Sequence, residues 1–382
     1  MRPASVNPMA PPNDRADVLI FADTMTSADM RHAVPLPISD RFAYLERNGT
    51  RYALANQLEE PRITAVGGYE ILRPRDLGLD ELVEQGLTFP LLGLNILLRG
   101  CREVGLEEAA VPMAFPLDAA DFLRENGVSL RVDHRLFELR RRVKNDAELA
   151  GMRRAQTLAE TIMATIREAL RRGGDLTSEG VRAEARASIA GADAFVDALF
   201  AQVGDQALSG HDPGTGPIAA GQSVVVDLGI RDGESGCYTD MSRTFCSGEP
   251  SPELAAMHAA CREALDVAYP LIRAGVTGAE VDGAVCELFE ERGYRTRLSK
   301  KPGEILDEDF FHSLGHGVGL EIHELPAISR VGHDPLLAGD VIAIEPGLYR
   351  RGVGGVRLED LVLVTDEGCE VLADFPYELT VY

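Results

Sequence analysis

The residues of this chain from which chemistry is most readily built are four acids: Asp227, Asp240, Glu345 and Glu359. Asp227 closes an apolar run, and Asp240 opens the next one 13 residues later, after a polar, glycine-containing turn. Residues 224–245, VVVDLGIRDGESGCYTDMSRTF, therefore read as one hairpin that brings two carboxylates to one spot. The pattern recurs: GDVIAIE at 339–345 echoes GQSVVVD at 221–227, with the acid six residues after the glycine in both. Glu359 follows Glu345 by 14 residues and heads the apolar run 361–364, so each of two hairpins carries two acids. Four carboxylates about 4 Å apart repel by roughly 4 kcal/mol per pair at an effective dielectric near 20. Bound divalent cations would remove that repulsion, which points to metal-assisted chemistry.

Histidines gather near the second pair. Residues 310–326, FFHSLGHGVGLEIHELP, hold three of the chain's eight histidines, His312, His316 and His323, within 12 residues and among glycines that permit close backbone approach. This clustering favours a ligand or catalytic role for them, most of all for His316. His32 and His134 stand alone in the sequence and read as structural or surface residues. Carboxylates and imidazole without thiolate suit Mn2+ or Co2+, and Zn2+ is compatible with them.

The elements that must position these groups also repeat. Asn145 with Glu148 makes a capping box, and Leu149, Met152, Ala159, Ile162, Met163, Ile166 and Leu170 recur at helical spacing until Gly173. Thr177 opens the next helix. In the second half, Ser251-Pro252 starts a helix expected to run to about Ala274, and Thr277 with Glu280 caps another that Gly293 ends. RGGDLTSEGV at 172–181 parallels RAGVTGAEV at 273–281, so each half is expected to be helix, helix, hairpin. An internal duplication follows, with the acid pairs facing each other across a pseudo-twofold axis.

Residues 17–143 alternate short apolar runs with helical patterns. Strands are expected at 18–21, 42–45, 51–54, 109–113 and 128–132, a hairpin turn at RNGT (47–50), and a helix at 117–125. These form an α/β domain without a chemical motif. Residues 1–16 are rich in Pro and Ala and read as a flexible tail. The expected organisation is thus tail 1–16, an N-terminal α/β domain 17–143, and a catalytic α+β domain 144–382.

With 382 residues and 45% apolar content, the chain is long enough for two cores. Its 38 basic and 61 acidic residues give a net charge of −23, which disfavours nucleic acid and anionic lipid as partners. Its longest apolar stretch, around 91–98, is too short to span a bilayer, and no signal-like apolar segment opens the chain, so a cytoplasmic location is expected. The six cysteines show no CxxC pairing and are expected as reduced thiols.

Asp227, Asp240, His316, Glu345 and Glu359, in the settings DLG, YTDMSRTF, HSLGHGVGLEIHE, EPGLY and VRLED, resemble the pita-bread metallopeptidases: prolidase, aminopeptidase P and methionine aminopeptidase. The resemblance covers about residues 140–380. The preceding α/β domain and the short step from Glu345 to Glu359 are closer to prolidase and aminopeptidase P. It implies an α/β N-terminal domain followed by an α+β pita-bread domain with internal pseudo-twofold duplication, two divalent metal ions, and a homodimer. The implied reaction is hydrolysis of the Xaa-Pro bond at the N-terminus of short proline-containing peptides.

Carried over residue by residue, Asp227 is a terminal ligand of one metal, His316 with Glu345 holds the other, and Asp240 and Glu359 bridge. Glu345 also matches the family's proton shuttle. His211 and His323 match its substrate-side histidines, and His312 a further histidine of the substrate pocket. His211 lies in HDPGTGP, where it could equally be solvated. Arg357 matches either a clamp on a substrate carboxylate or an anchor behind the ligands, and Tyr349 reads as a packing residue. RDGESG at 231–236 looks inserted between Asp227 and Asp240. Two other functions fit the resemblance: a creatinase-like hydrolase of another small amide, and a non-catalytic peptide-binding protein, each expected to have lost ligand carboxylates that this chain retains.

Overall fold

The computed structural model describes residues 16–210 and 212–381, and it divides into two compact units, Met1–Arg141 and Arg142–Tyr382. The tail expected at 1–16 lies, apart from Ala16, outside the described residues.

In the first unit, β1 (Val18–Ala22) is followed by α1 (Ala28–Ala33), then β2 (Phe42–Arg47) and β3 (Thr50–Leu54). The turn between β2 and β3 places Asn48 and Gly49 at φ 50° and 81°, as the RNGT signal requires. Next come α2 (Glu60–Val66), β4 (Glu70–Leu72), α3 (Leu79–Glu84), α4 (Phe89–Glu103) and β5 (Glu108–Val111). The unit closes with α5 (Leu117–Glu125), β6 (Ser129–Val132) and α6 (His134–Arg142). Its sheet runs β4-β3-β2-β1-β5-β6. His134 is not alone as expected: its Nε2 lies 3.2 Å from Glu138 one helical turn on.

The second unit carries the acids. Its first half is α7 (Asp146–Arg172), α8 (Ser178–Ser188), β7 (Ala194–Val203), β8 (Ser223–Asp232) and β9 (Tyr238–Ser247). Its second half is α9 (Pro252–Ala268), α10 (Gly278–Glu291), β10 (Gly315–Gly317), β11 (Glu324–Ile328) and β12 (Val341–Ile344). It continues with β13 (Gly347–Arg350), β14 (Gly354–Arg357), β15 (Asp360–Val364), β16 (Cys369–Val371) and β17 (Thr380–Val381). One sheet runs β17-β9-β8-β7 and another β11-β10-β12-β15-β16, with β13 and β14 as a separate hairpin.

The capping boxes at Asn145–Glu148 and Thr277–Glu280 form as the sequence predicts, and Gly173 ends α7. α9 stops at Ala268, short of Ala274: Pro270 has no N–H to extend the ladder, and residues 269–271 tighten into a 3-10 turn. The apolar faces of α7 and α8 pack on β7–β9, including Ile162, Met163, Ile166, Val226 and Met241. Those of α9 and α10 pack on the second sheet in the same way, through Leu265, Val285, Phe289, Ile342 and Val362.

The duplication is visible in backbone bonds. Ile218 N donates to Leu176 O at 2.9 Å, and Leu336 N to Val276 O at 2.7 Å; Thr177 bridges to Pro217 as Thr277 does to Pro335. Gly221 and Gly339 both stand at positive φ (83° and 94°) at the entrance to β8 and β12, which is why the repeated motif begins with glycine. Each half has more strands than a bare hairpin, since β7 pairs with β8 and β10 with β12. β7 was not expected: Ala194–Val203 lacks a regular alternation of apolar and polar residues.

Gly339→Ala puts a Cβ 2.7 Å from Val143 Cγ1 at a φ that L residues rarely adopt. It should cost about 1–3 kcal/mol, read as a lower urea midpoint. Gly191→Ala, with open space around it, should move that midpoint little. Equal midpoints for the two variants would refute this account of the repeat.

Candidate active site

Strand register gathers the acids. Asp227 pairs with Ser242 and Gly229 with Asp240 across β8 and β9, so alternation puts Asp227, Asp240 and Ser242 on one face. Asp227 does not close its strand, because β8 and β9 run on to Arg231 and Tyr238. RDGESG builds the turn beyond them: Asp232 accepts from Ser235 N (2.8 Å) and receives the Arg154 guanidinium at 2.9 and 2.7 Å.

In the second sheet the last pair of β12 and β15 is Ile344 with Asp360, and the next residues outward are Glu345 and Glu359. The 14-residue step between them holds the extra hairpin β13–β14, so the second acid pair is not joined by a simple turn. A bridge between Ser242 and Glu359, with Glu359 N donating to Ser242 O at 3.0 Å, brings the two halves together.

His316 sits in the middle of β10, opposite Ala343, two residues from Glu345. Its glycine neighbours make room for strands: a Cβ at Gly315 would lie 1.9 Å from Ala343 O, and one at Gly317 2.2 Å from Leu325 O. The close approach that these glycines permit is that of neighbouring strands.

These groups line a cavity of about 220 Å³ with His312, His323, Arg357, Tyr349, Phe311, Ala207 and Gly210. One oxygen each from Asp227, Asp240 and Glu359 lies within 4.8 Å of the others, as do single donor atoms of Asp240, His316 and His323. His316 Nε2 is 3.7 Å from both Asp240 Oδ2 and Glu345 Oε1. That is too long for a hydrogen bond, but two donors each about 2.0–2.2 Å from one ion can stand at most about 4.4 Å apart. His316 Nδ1 donates to Gly317 O at 3.1 Å, which leaves the Nε2 lone pair facing the carboxylates. Burial, and then neighbouring His323, lower its pKa to about 4, so the ring is neutral at pH 7.

Without cations, three of the acids are pushed toward their protonated forms. Burial first, and Glu359 next, raise both Asp240 and Glu345 well above the usual carboxylate range. Glu359 is raised to about 7 by burial and by Asp227. Ser242 Oγ lies 2.8 Å from Asp227 Oδ1 and 2.7 Å from Glu359 Oε2, but one hydroxyl hydrogen serves only one of them. A proton or a cation must reconcile the other pair. The donor set therefore fits divalent metal.

Arg357 Nε donates to Ser242 Oγ at 3.0 Å, and its Nη2 pairs with Asp227 Oδ2. Its guanidinium is thus tied behind the acids, although it also lines the cavity. His312 Nδ1 donates to Ser313 O at 2.8 Å and its Nε2 lies 3.2 Å from Tyr349 Oη, so Tyr349 orients a cavity histidine as well as packing. Burial and then Arg357 lower His312 to about 4. His323 is exposed at the rim, its ring centroid 4.3 Å from that of His316. His211 lies outside the described residues. Ser242 was not singled out by sequence; its signal was its place two residues after Asp240, on the same face of the strand.

The model of metallopeptidase family M24 matches residues 150–366. Curated relatives include a probable dipeptidase PepE of Mycobacterium tuberculosis, 34% identical over 245 residues, which are 63% of this chain and 61% of that protein. An uncharacterized peptidase of Staphylococcus aureus is 34% identical over 236 residues, 62% of this chain and 63% of its own length. The match thus spans about three fifths of these relatives. Among solved structures, an Xaa-Pro dipeptidase from Bacillus anthracis superposes with a TM-score of 0.79 at 24% identity, covering 96% of this chain and 95% of that one. Dipeptidase PepE from Mycobacterium ulcerans gives 0.73 at 26%, covering 96% and 93%. The likeness supports the pita-bread architecture expected from sequence. With more than half of its residues under the family model, the chain belongs to metallopeptidase family M24.

Proposed function

We propose that this protein is a dinuclear metal-dependent peptidase that hydrolyses the Xaa-Pro bond at the N-terminus of dipeptides or short peptides. The observation that carries the proposal is the buried meeting of Asp227, Asp240, Glu345 and Glu359 with a neutral His316 in one cavity. Retention of all five groups disfavours a metal-independent creatinase-like hydrolase and a non-catalytic peptide-binding protein. A relative named as a probable dipeptidase and a structural neighbour named as an Xaa-Pro dipeptidase support this reading. Mn2+ is the proposed native metal, with Co2+ and Zn2+ as alternatives, and the protein is proposed to act as a cytoplasmic homodimer. No helix among the described residues is long and apolar enough to cross a membrane. The tail 1–16, N-terminal domain 17–143 and catalytic domain 144–382 belong to the same proposal.

In this reading Asp227, Asp240, His316, Glu345 and Glu359 would hold the ions, with Asp240 and Glu359 placed to serve both. Divalent ions held there would supply a nucleophile from water at neutral pH and Lewis acidity at the scissile carbonyl. The chain's own groups do the rest. Glu345 accepts a proton from the attacking water and delivers it to the leaving nitrogen, work that suits a carboxylate whose proton affinity burial has increased. His323 at the rim, and His211, donate hydrogen bonds to the oxygen that gains charge. His312, oriented by Tyr349, contacts the substrate. Arg357 and Ser242 hold Asp227 and Glu359 in place.

Metal analysis with hydrolysis of Xaa-Pro dipeptides and longer Xaa-Pro peptides in added Mn2+ tests the reading. Cleavage of dipeptides alone selects the dipeptidase, and cleavage of longer peptides the aminopeptidase. Asp240→Ala should lower turnover by at least about a hundredfold, since even groups behind metal ligands are worth about 10–100-fold. A full rate in that variant sinks the two-metal mechanism. Ser242→Ala should weaken Mn2+ binding by about 10–100-fold while the protein stays folded; unchanged affinity by calorimetry would deny Ser242 its role.

The raised carboxylates also set a pH signature. Below the ordinary value of 4.5, Glu359 is protonated folded or unfolded; between there and about 7 only the folded chain keeps the proton. Stability of the chelated protein due to this group therefore falls as pH rises through that window. Metal takes the proton's place, so the rise in Tm on adding Mn2+ should grow from about pH 5 to about pH 8. A rise that is constant with pH would show that these acids are not the metal site.

A further inference from the structure

A second and larger cavity, of about 560 Å³, adjoins the site and shares Phe311 and His312 with it. Its lining differs in sign. Arg297, Lys300, Lys301 and Arg330 face it against a single carboxylate, Asp282, in a chain of net charge −23. Asp282 is engaged by Arg297, with Oδ2 at 2.7 Å from Nε and 2.6 Å from Nη2. Lys300, Lys301 and Arg330 are all exposed at the cavity. Glu304, which pairs with Arg295, also accepts from Lys301 N at 2.9 Å and lies close enough to feel its charge, while among the described residues no carboxylate forms an ion pair with Lys300 or Arg330. Four basic side chains against one lining carboxylate leave a local excess of positive charge on a strongly acidic protein, and that excess focuses an attractive field for anions at one place.

Size separates the two cavities' tasks. Ligand pockets commonly hold about 300–1,000 Å³. The acid-lined cavity, at about 220 Å³, is smaller and admits only the reacting part of a substrate, whereas the basic one takes more of the chain. A peptide continuing past the scissile bond beyond His312 would enter it.

Resting on the peptidase reading above, the geometry points to a distal subsite, built by Lys300, Lys301 and Arg330, that binds a carboxylate of substrates longer than a dipeptide. The carboxylate comes either from an acidic side chain downstream of proline or from the peptide's C-terminus. Recognition is by charge on flexible lysine stems and one arginine fork, so it favours anions without demanding one geometry. Its strength should decline as ionic strength rises.

The Mn2+-loaded full chain is assayed with the tetrapeptides Ala-Pro-Ala-Glu and Ala-Pro-Ala-Gln, each with a free and an amidated C-terminus. The wild type should prefer the carboxylate-bearing peptides in kcat/KM. The Glu-amide against the Gln-amide reports the side chain, and free acid against amide of the Gln peptide reports the C-terminus. Replacing Lys300, Lys301 and Arg330 together by Gln should erase that preference, a change of about tenfold given the modest worth of each exposed pair, with the rate on Ala-Pro-Ala-Gln-amide unchanged. Arg330→Glu should shift preference toward a peptide ending in Lys. Equal selectivity in wild type and triple variant overturns the subsite, as does a wild type that cleaves only dipeptides. Inactivity on every Xaa-Pro peptide would instead overturn the peptidase reading.

Discussion

The constraint on which this structure turns is the self-repulsion of carboxylates held out of water at one point. Asp240 and Glu359 are 6% and 2% exposed, so neither can shed its charge into solvent. A carboxylate in such a place must hold a proton, pair with a cation, or share a metal. All three responses are present or prepared for. Glu359 titrates near neutrality, Asp227 is paired with Arg357, and the Nε2 of His316 is turned toward the acids by the bond its other nitrogen makes to Gly317. The site is thus built at a cost in the stability of the metal-free chain, and metal binding recovers it.

Such a cluster persists only if the backbone cannot relax away from it, and Arg243 supplies that restraint. It is 1% exposed, and its Nη1 donates to Ser242 O and Glu359 O at 2.9 and 2.7 Å, one residue from each half of the duplicated unit. Its Nη2 pairs with Asp360 Oδ1 at 2.7 Å, while Tyr269 and Tyr377 donate to the other oxygen of Asp360. Every member has partners, the condition under which a buried charged network rigidifies its surroundings. Removing one partner of such a pair typically costs about 3–5 kcal/mol. The joint between the halves is therefore also what fixes the carboxylate of Glu359 beside Asp227.

Much of this was legible in sequence, for identifiable reasons. Helix starts were readable because Asn145–Glu148 and Thr277–Glu280 are local chemistry, complete within four residues. The acids were readable because duplication repeats their offset from a glycine whose positive φ is required. β7 was not, because apart from Asp197 and Gln202 its residues are apolar on both faces, so the alternation in its burial leaves no mark in residue type. The hairpin β13–β14 inside the 14-residue step was hidden for another reason: short strands are stabilised by contacts that sequence order does not display. Arg357 was visible as a cation near the acids, but its engagement with Asp227 and Ser242 depends on strands 115 to 130 residues apart. Ser242 carried no signal by type, since serine is common, and acquired one only from register.

Charge on the scale of the whole molecule acts in the same direction as the site. A chain of net charge −23 concentrates divalent cations around itself and so raises their rate of encounter with a cavity that needs them. The same field opposes anionic ligands, and an acidic peptide meets it before it meets any pocket. A local reversal of sign beside the acids, where Lys300, Lys301 and Arg330 stand, therefore matters more the more acidic the remainder is, because it offers a carboxylate a favourable approach against the prevailing field. On the proposed reading, attraction of metal and orientation of substrate follow from one charge distribution, negative overall and inverted over a few residues.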